Sequence, residues 1–319
     1  MNYGEALKQA ISNSRSRDYP GSSDSRSRCG TVFPKHKPKF VMRFSPEKTI
    51  FTIGSCFARN IEEALFDRSV FLPTVTFKAP PQEWPHRPNG LLNEYNPGAI
   101  SQRIIYALER KSFPPETIVA NGDRFADLLL TGGSDVTMER ATERRAQIDA
   151  VYSHLARSDL AIITLGFVEA WFDQETQLFL NRAPPHRFAE KHANRFVFKR
   201  LDVFDCMPLL EKAVNALAEG GIKVILTVSP VPLNTTFTAV DCVVANEFSK
   251  SVLRVCAERL SQHRLVDYFP SYEIVRCSGM AGYIDDQIHV RDELVRQITS
   301  YMVSVYYEMD PANRTQATA

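Results

Sequence analysis

Short apolar runs alternate with longer amphipathic stretches along most of the chain. Four runs are rich in Ile, Val and Leu, a composition that favours buried strands, and they occupy residues 49–54, 159–166, 222–229 and 264–269. Strands that are apolar on both faces and separated by helices are typical of a parallel sheet covered on both sides. The pattern therefore predicts an α/β fold, a three-layer α/β/α sandwich with a central parallel sheet.

The amphipathic stretches have apolar side chains at helical spacing. Phe57, Ile61 and Leu65 recur at this spacing, so the first helix of the domain is expected to begin just past Ser55. Further helices are predicted around residues 142–156, 207–221, 245–262 and 291–307.

The domain organisation follows from where this alternation begins and ends. Residues 1–44 are predicted to form an extended or flexible leader, because their Ser- and Arg-rich part has too few large apolar side chains to offset the entropy of ordering. The main domain is expected over residues 45–308, and a flexible tail over 309–319. Residues 73–134 lie between the first two strands and are predicted to be an insertion near the active edge of the sheet.

Composition and charge exclude several classes of protein. The 38 basic and 37 acidic residues give a formal net charge of +1, without the basic excess that nucleic-acid binding normally needs. No run approaches the roughly 18 apolar residues of a membrane span, and the first residues lack the apolar core of a signal peptide. The six cysteines stand singly, without the spacing of a zinc site. We therefore expect a cytoplasmic protein with no metal, no cofactor, no nucleic-acid partner and no membrane span.

Candidate chemistry lies where the predicted strands end, because parallel α/β sheets bind ligands at the carboxyl ends of their strands. Ser55 follows Gly54 there and precedes a helix whose free N–H groups would stabilise a developing anion, although a serine at such a junction can also be a simple N-cap. Asp286 and His289 have a spacing that allows the histidine to act as general base and the carboxylate to orient it. Asp285 competes for the role of Asp286, and a surface Asp/His pair is the alternative.

The string GSCFA at residues 54–58 resembles the name-giving motif of the GSCFA family, which is similar to the SGNH/GDSL esterases. The resemblance also includes LGFVEAWFD at 165–173, SPVPL at 229–233, FSKSVLR at 248–254, YFPSYEIV at 268–275 and DDQIHV at 285–290. It implies an SGNH-hydrolase-like fold with Ser55 as nucleophile and with Asp286 and His289 as the acid–base pair.

The same resemblance implies an oxyanion hole formed by the backbone at Ser55, Cys56 and Gly166 and by an asparagine side chain. SGNH enzymes commonly take that asparagine from a GxND motif, but the corresponding residues 166–169 read Gly-Phe-Val-Glu. Asn96 is the predicted replacement, with Asn93 as the second choice and a turn or helix cap as the alternative role.

Glu169 stands close to this predicted oxyanion hole, where an ionised carboxylate would repel the anion. We therefore expect it to be protonated, paired with a cation such as Arg59, or used for another task, including substrate binding.

Two further side chains are candidates for substrate binding. Trp171 could stack against a sugar, and Lys250 could bind an anionic group, although core packing and a solvated helix face are the respective alternatives. Cys56 is a rival nucleophile because a thiol at a helix N-terminus can have a lowered pKa, but packing as a small apolar side chain is favoured.

The leading functional hypothesis is a serine esterase that acts on a small-molecule or glycan ester, with carbohydrate acyl groups as the favoured substrate. If a sugar hydroxyl replaces water, the same residues make an O-acyltransferase on bacterial surface glycan precursors. A non-catalytic carbohydrate-binding protein is the alternative from another class. The sequence does not fix the oligomeric state.

Overall fold

The computed structural model describes residues 1–13, 16–20, 27–28, 31–43, 45–66 and 68–308, without the side chains of residues 27 and 28. Much of the Ser- and Arg-rich part of the predicted leader and the predicted tail at 309–319 lie outside the described residues.

Strands and helices alternate through the main domain. The strands are β1 (Ser27–Arg28), β2 (Thr31–Val32), β3 (Met42–Arg43), β4 (Ile50–Gly54), β5 (Ile118–Asn121), β6 (Arg124–Asp127), β7 (Leu160–Leu165), β8 (Glu169–Asp173), β9 (Leu178–Leu180), β10 (Phe196–Arg200), β11 (Lys223–Val228), β12 (Val266–Tyr268) and β13 (Tyr307–Glu308). The helices are α1 (Tyr3–Ser12), α2 (Cys56–Leu65), α3 (Pro97–Leu108), α4 (Met138–Tyr152), α5 (His186–Lys191), α6 (Val203–Glu219), α7 (Cys242–Leu260), α8 (Ser271–Cys277) and α9 (Asp292–Tyr306).

The central sheet has the order β12-β11-β7-β4, and its strands are parallel throughout. The register pairs Gly54 with Thr164 and Leu165 with Val228, so the carboxyl ends of β4, β7 and β11 meet at one edge. Each of the four predicted apolar runs forms one of these strands, with slightly shorter bounds. The prediction of a central parallel sheet is confirmed.

Helices cover both faces of this sheet because side chains alternate between the faces along each strand. Phe51 and Ile163 face a core that includes α3, α4, α6 and α7. Ile50, Ile162 and Ile225 face a second core that includes α2, α8 and α9. The predicted three-layer α/β/α sandwich is therefore confirmed, and the five predicted helices correspond to α2, α4, α6, α7 and α9.

A second, antiparallel sheet of order β10-β8-β9 was not predicted from the sequence. Its strand β8 follows the end of β7 after three residues, so the sheet extends the carboxyl edge of the central sheet. A buried ion pair between Arg195 and Asp173, at 2.7 Å, fastens the end of β8. The antiparallel pair β5–β6, within residues 73–134, was also not predicted.

Part of the predicted leader packs against the domain. Residues 31–43 bury Phe33 and Met42 in the core beside α9, and β3 pairs with β13. His36 Nε2 lies 2.8 Å from the Tyr306 hydroxyl oxygen and 3.3 Å from Asp267 Oδ2. Farther upstream, α1 is helical, where an extended or flexible segment was expected, and none of its residues is buried.

No helix in the described part of the chain is long and apolar enough to cross a bilayer.

Candidate active site

Ser55 lies at a sharp corner between β4 and α2. Gly54 makes this corner possible, because its φ of +124° suits glycine and a Cβ atom there would lie 2.0 Å from the carbonyl oxygen of Thr164. The Ser55 side chain is the N-cap of α2, and its Oγ accepts a hydrogen bond from the Phe57 N–H at 3.3 Å. The serine hydroxyl is therefore held at the positive end of a helix and at the carboxyl edge of the sheet.

Residues 93–96 of the 73–134 segment pack over this corner. The Glu94 N–H donates to the carbonyl oxygen of Gly54 at 2.8 Å, and the carbonyl oxygen of Tyr95 accepts from the N–H groups of Gly166 and Phe167, both at 3.1 Å. Gly166 permits this approach, because a Cβ atom there would lie 2.7 Å from the Tyr95 carbonyl oxygen. The segment thus bridges the ends of β4 and β7.

Asp286 and His289 form a hydrogen-bonded pair in the turn before α9. His289 Nδ1 lies 2.6 Å from Asp286 Oδ2, while Asp286 Oδ1 accepts from the N–H groups of Ile288 and His289 at 2.9 Å. These hydrogen bonds, above all the one from His289, lower the pKa of Asp286 to about 2. Asp286 rather than Asp285 therefore contacts the histidine, and Nε2 is left free for another partner.

The structure does not join this pair to Ser55. The hydrogen bonds of the described residues include none between Ser55 and His289, and the His289 side chain is 65% exposed whereas Ser55 is 2% exposed. Catalytic hydrogen bonds are often long or absent before a substrate binds. The catalytic assignment of Ser55, Asp286 and His289 thus stays a prediction.

Asn96 has the structural role that was its alternative in the sequence. Its Oδ1 caps α3 by accepting from the Ala99 N–H at 2.9 Å, and its Nδ2 donates to the carbonyl oxygen of Leu180 at 3.0 Å. The choice of Asn96 as the oxyanion donor is corrected by these contacts, because they tie its side chain to α3 and β9.

Asn93 fits the donor role better. It is 4% exposed and directly precedes Glu94, whose N–H is bonded to Gly54. Its Nδ2 makes one long contact, 3.4 Å, to the Tyr95 hydroxyl, and its Oδ1 is buried without a hydrogen-bond partner among the described residues. In either orientation of the amide, at least one N–H is available for a ligand.

The predicted backbone donors are also partly corrected. The Ser55 N–H donates to the Thr164 carbonyl oxygen at 3.0 Å, and the Gly166 N–H donates to Tyr95, so neither N–H is free. The Cys56 N–H is in the first turn of α2, and it makes no hydrogen bond to another residue in the described part of the chain. Cys56 is therefore the predicted backbone donor that remains available.

The Glu169 carboxylate anchors the loop that follows β11. Its Oε1 accepts from the Thr236 hydroxyl at 2.6 Å and its Oε2 accepts from the Phe237 N–H at 2.9 Å. Arg59, the predicted partner, is instead paired with Glu62 at 2.6 Å beneath α2. Glu169 thus fastens the segment after β11 to the first residue of β8.

Trp171 belongs to an aromatic cluster beside this loop. Its ring meets Phe198 and Phe237 edge to face, with ring centroids at 5.6 Å and 5.4 Å. Phe237 is 57% exposed, and the Trp171 Nε1–H is buried without a partner among the described residues. The cluster thus combines an exposed aromatic side chain with an unused hydrogen-bond donor.

Cys56 and Lys250 lie close enough for their charges to interact. Burial raises the pKa of the Cys56 thiol, and Lys250 and Arg87 oppose this effect. A thiol with a raised pKa is a poor nucleophile at neutral pH, which favours Ser55. Lys250 itself is 1% exposed, so the alternative of a solvated lysine is wrong.

Within the described residues, no group of three or more His, Cys, Asp or Glu side chains has an arrangement suited to a metal ion.

The fold and this edge define an α/β/α protein whose candidate site lies at the carboxyl ends of a parallel sheet. The chain belongs to the GSCFA family, whose model matches residues 49–301, and this confirms the resemblance seen in the sequence.

No curated protein matches the sequence. Among solved structures, the chain is similar to a carbohydrate esterase family 3 protein from Talaromyces cellulolyticus, with 10% sequence identity and a TM-score of 0.37. That alignment covers 82% of this chain and 98% of the other.

Proposed function

We propose that this protein is a serine esterase of the SGNH type that removes acyl groups from a carbohydrate through an acyl-enzyme. The observation that carries the proposal is the placement of Ser55: its hydroxyl lies at the Gly54 corner, at the N-terminus of α2 and at the carboxyl edge of the sheet. A nucleophile at this position forms an oxyanion next to the free N–H groups of a helix.

The proposed reaction uses two proton transfers by His289. Ser55 Oγ attacks the ester carbonyl carbon while its proton passes to His289 Nε2, and the carbonyl electron pair moves to the oxygen. The tetrahedral intermediate collapses, the alcohol leaves with the proton from His289, and an acyl-Ser55 ester remains. Water then attacks this ester with the help of His289 and releases the acid. Asp286 accepts from Nδ1 and keeps Nε2 as the base.

This reaction requires the turn at residues 284–290 to bring His289 to Ser55 when the ester binds. The turn carries exposed Asp285, Asp286 and Gln287 and is closed at its base by a bridge between Tyr283 and Val290. Few packed side chains therefore oppose its movement.

The aromatic cluster supports a carbohydrate as the alcohol part of the substrate. The exposed face of Phe237 can pack against the C–H groups of a sugar ring, and the Trp171 ring supports Phe237 by an edge-to-face contact. Glu169 fixes the backbone of Phe237 and thus the position of the ring.

A panel of O-acylated sugars and simple esters tests the proposal, with Ser55→Ala as the control. We expect release of the free acid from acylated sugars by the wild type and none above background by the variant. Transfer of the acyl group to an added sugar in preference to water would instead identify an O-acyltransferase. Binding of sugars without acyl release, and without covalent labelling by a fluorophosphonate, would identify a binding protein and overturn the proposal.

The two asparagines provide a matched test of the oxyanion hole. Asn93→Ala should lower kcat roughly 100- to 1000-fold, the loss typical of one missing donor, with little change in melting temperature. Asn96→Ala should instead lower the melting temperature, because loss of an N-cap costs about 1 kcal/mol and the Leu180 carbonyl loses its donor. A large kcat loss in the Asn96 variant alone would reverse this assignment.

A further inference from the structure

Lys250 is a buried lysine without a carboxylate partner among the described residues. It lies on α7 and is 1% exposed, and its Nζ donates to the carbonyl oxygens of Gly166 and Val231, both at 2.7 Å. An ammonium group has three N–H bonds, and the described residues offer no acceptor for the third and no carboxylate within ion-pair distance. Burial of such a charge is costly unless an anion compensates it.

A purely structural role explains the two carbonyl contacts but not the charge. The ammonium joins the residue after β7 to the loop after β11, and two neutral N–H donors would suffice for that task. A side-chain amide would supply them without the cost of a buried charge. The third N–H of the charged form is therefore the feature of Lys250 that these two structural contacts leave unused.

The ammonium group lies at the same edge of the sheet as the start of α2. Gly54 pairs with Thr164, and Ser55 donates its N–H to the Thr164 carbonyl oxygen; Gly166, the residue after β7, is two residues beyond this contact. Lys250 bonds to Gly166, and its charge acts on the thiol of Cys56. The cation thus shares the sheet edge with Ser55 and with the free Cys56 N–H.

This position matters because the neutral donors at the site are few. The N–H groups of Ser55 and Gly166 are both engaged within the protein, which leaves the Cys56 N–H and the Asn93 amide.

We propose that Lys250 is a catalytic residue whose third N–H donates to the oxyanion formed when Ser55 attacks the ester. The inference rests on the proposed esterase function. Lys250 keeps its proton throughout the step: the new bond joins Ser55 Oγ to the carbonyl carbon, the serine proton goes to His289, and the ammonium stabilises the negative oxygen.

The proposed role needs the charged form of Lys250, which burial in the unliganded protein disfavours. Burial lowers the pKa of Lys250 to about 7, and Cys56 and, less strongly, Glu247 oppose that shift. Glu247 lies 3.3 Å from Arg276, and the positive charge of Arg276 partly offsets the effect of Glu247 on Lys250. An anion bound beside the ammonium favours the charged form and raises this pKa.

The first test compares Lys250→Met with Lys212→Met, a change of an exposed lysine on α6. We expect the Lys250 variant to lose roughly 100- to 1000-fold in kcat with KM changed by no more than a few-fold, because the contact exists only once the oxyanion forms. The Lys212 variant should match the wild type. A Lys250 variant with wild-type kcat, or with a higher KM and unchanged kcat, would overturn the proposal.

The second test needs neither turnover nor a folded variant. Lysine side chains of the wild-type protein are labelled with carbon-13, and the Lys250 signal is titrated by NMR with and without inorganic phosphate. We expect phosphate to raise the pKa of Lys250, and an unchanged titration at saturating phosphate would contradict an anion site. If the wild type shows neither ester turnover nor labelling, the esterase proposal fails and the oxyanion role of Lys250 fails with it; the phosphate titration then decides whether Lys250 is an anion site at all.

Discussion

Ser55→Ala is expected to abolish ester turnover, with a loss of roughly 10⁴- to 10⁶-fold in kcat. The loss is this large because the variant cannot form the acyl-enzyme, and His289 then has no hydroxyl to activate. Initial rates on an acylated sugar, measured at saturating substrate, give the number directly.

The control for this variant is the loss of another helix cap. Ser55 caps α2 through the Phe57 N–H, and Thr137 caps α4 in the same way through the Arg140 N–H at 3.2 Å. Ser55→Ala and Thr137→Ala should each lose about 1 kcal/mol of stability, but turnover should vanish in the first alone. Full turnover in a folded Ser55→Ala protein, together with an inactive Cys56→Ala protein, would show that the Cys56 thiol is the nucleophile instead.

His289→Ala is expected to have the second largest effect, with nearly complete loss of kcat. Without the imidazole, the proposed mechanism lacks the base that takes the serine proton and returns it to the leaving alcohol. Asp286→Asn should be less severe, because the amide still accepts a hydrogen bond through its oxygen but no longer stabilises the charged imidazolium. Single-turnover rates of acyl release distinguish these variants.

Asp285→Asn is the matched control, since Asp285 neighbours Asp286 but makes no contact with His289 in the structure. The pKa of Asp286 in the wild type is about 2, so its carboxylate is ionised over the whole assay range. Equal losses in the Asp285 and Asp286 variants would refute the pairing.

The strands of the central sheet could be predicted because their signal is local. Residues 50–54 are all buried, so their apolar side chains are enough to predict a strand that is covered on both faces. The Ser55 corner could be predicted for the same reason, since the end of a strand and the start of a helix meet there.

The antiparallel sheet β10-β8-β9 was missed because its signal is weaker. Phe196, Val197 and Phe198 form a short apolar run at the start of β10, but all three are only partly buried, and the strand lies among polar segments. Its stability depends on pairing with β8, which begins 27 residues earlier in the chain (Glu169 to Phe196).

The roles of individual polar residues depended on distant partners. Asn96 is held by Leu180, which is 84 residues away in sequence, and Glu169 is held by Thr236, which is 67 residues away. Lysine is mostly exposed in proteins, so the burial of Lys250 had no sequence signal. The residue types at the site could thus be proposed from the sequence, while their division into donors, caps and loop anchors required the structure.

The central claim is that Ser55 is the nucleophile of an acyl-transfer site. The most direct measurement is to treat the wild-type protein with a fluorophosphonate probe, digest it, and locate the adduct by mass spectrometry. We expect a single phosphonylated residue, Ser55, and loss of the adduct in His289→Ala. An adduct on Cys56, or no adduct in a protein that still hydrolyses esters, would contradict it.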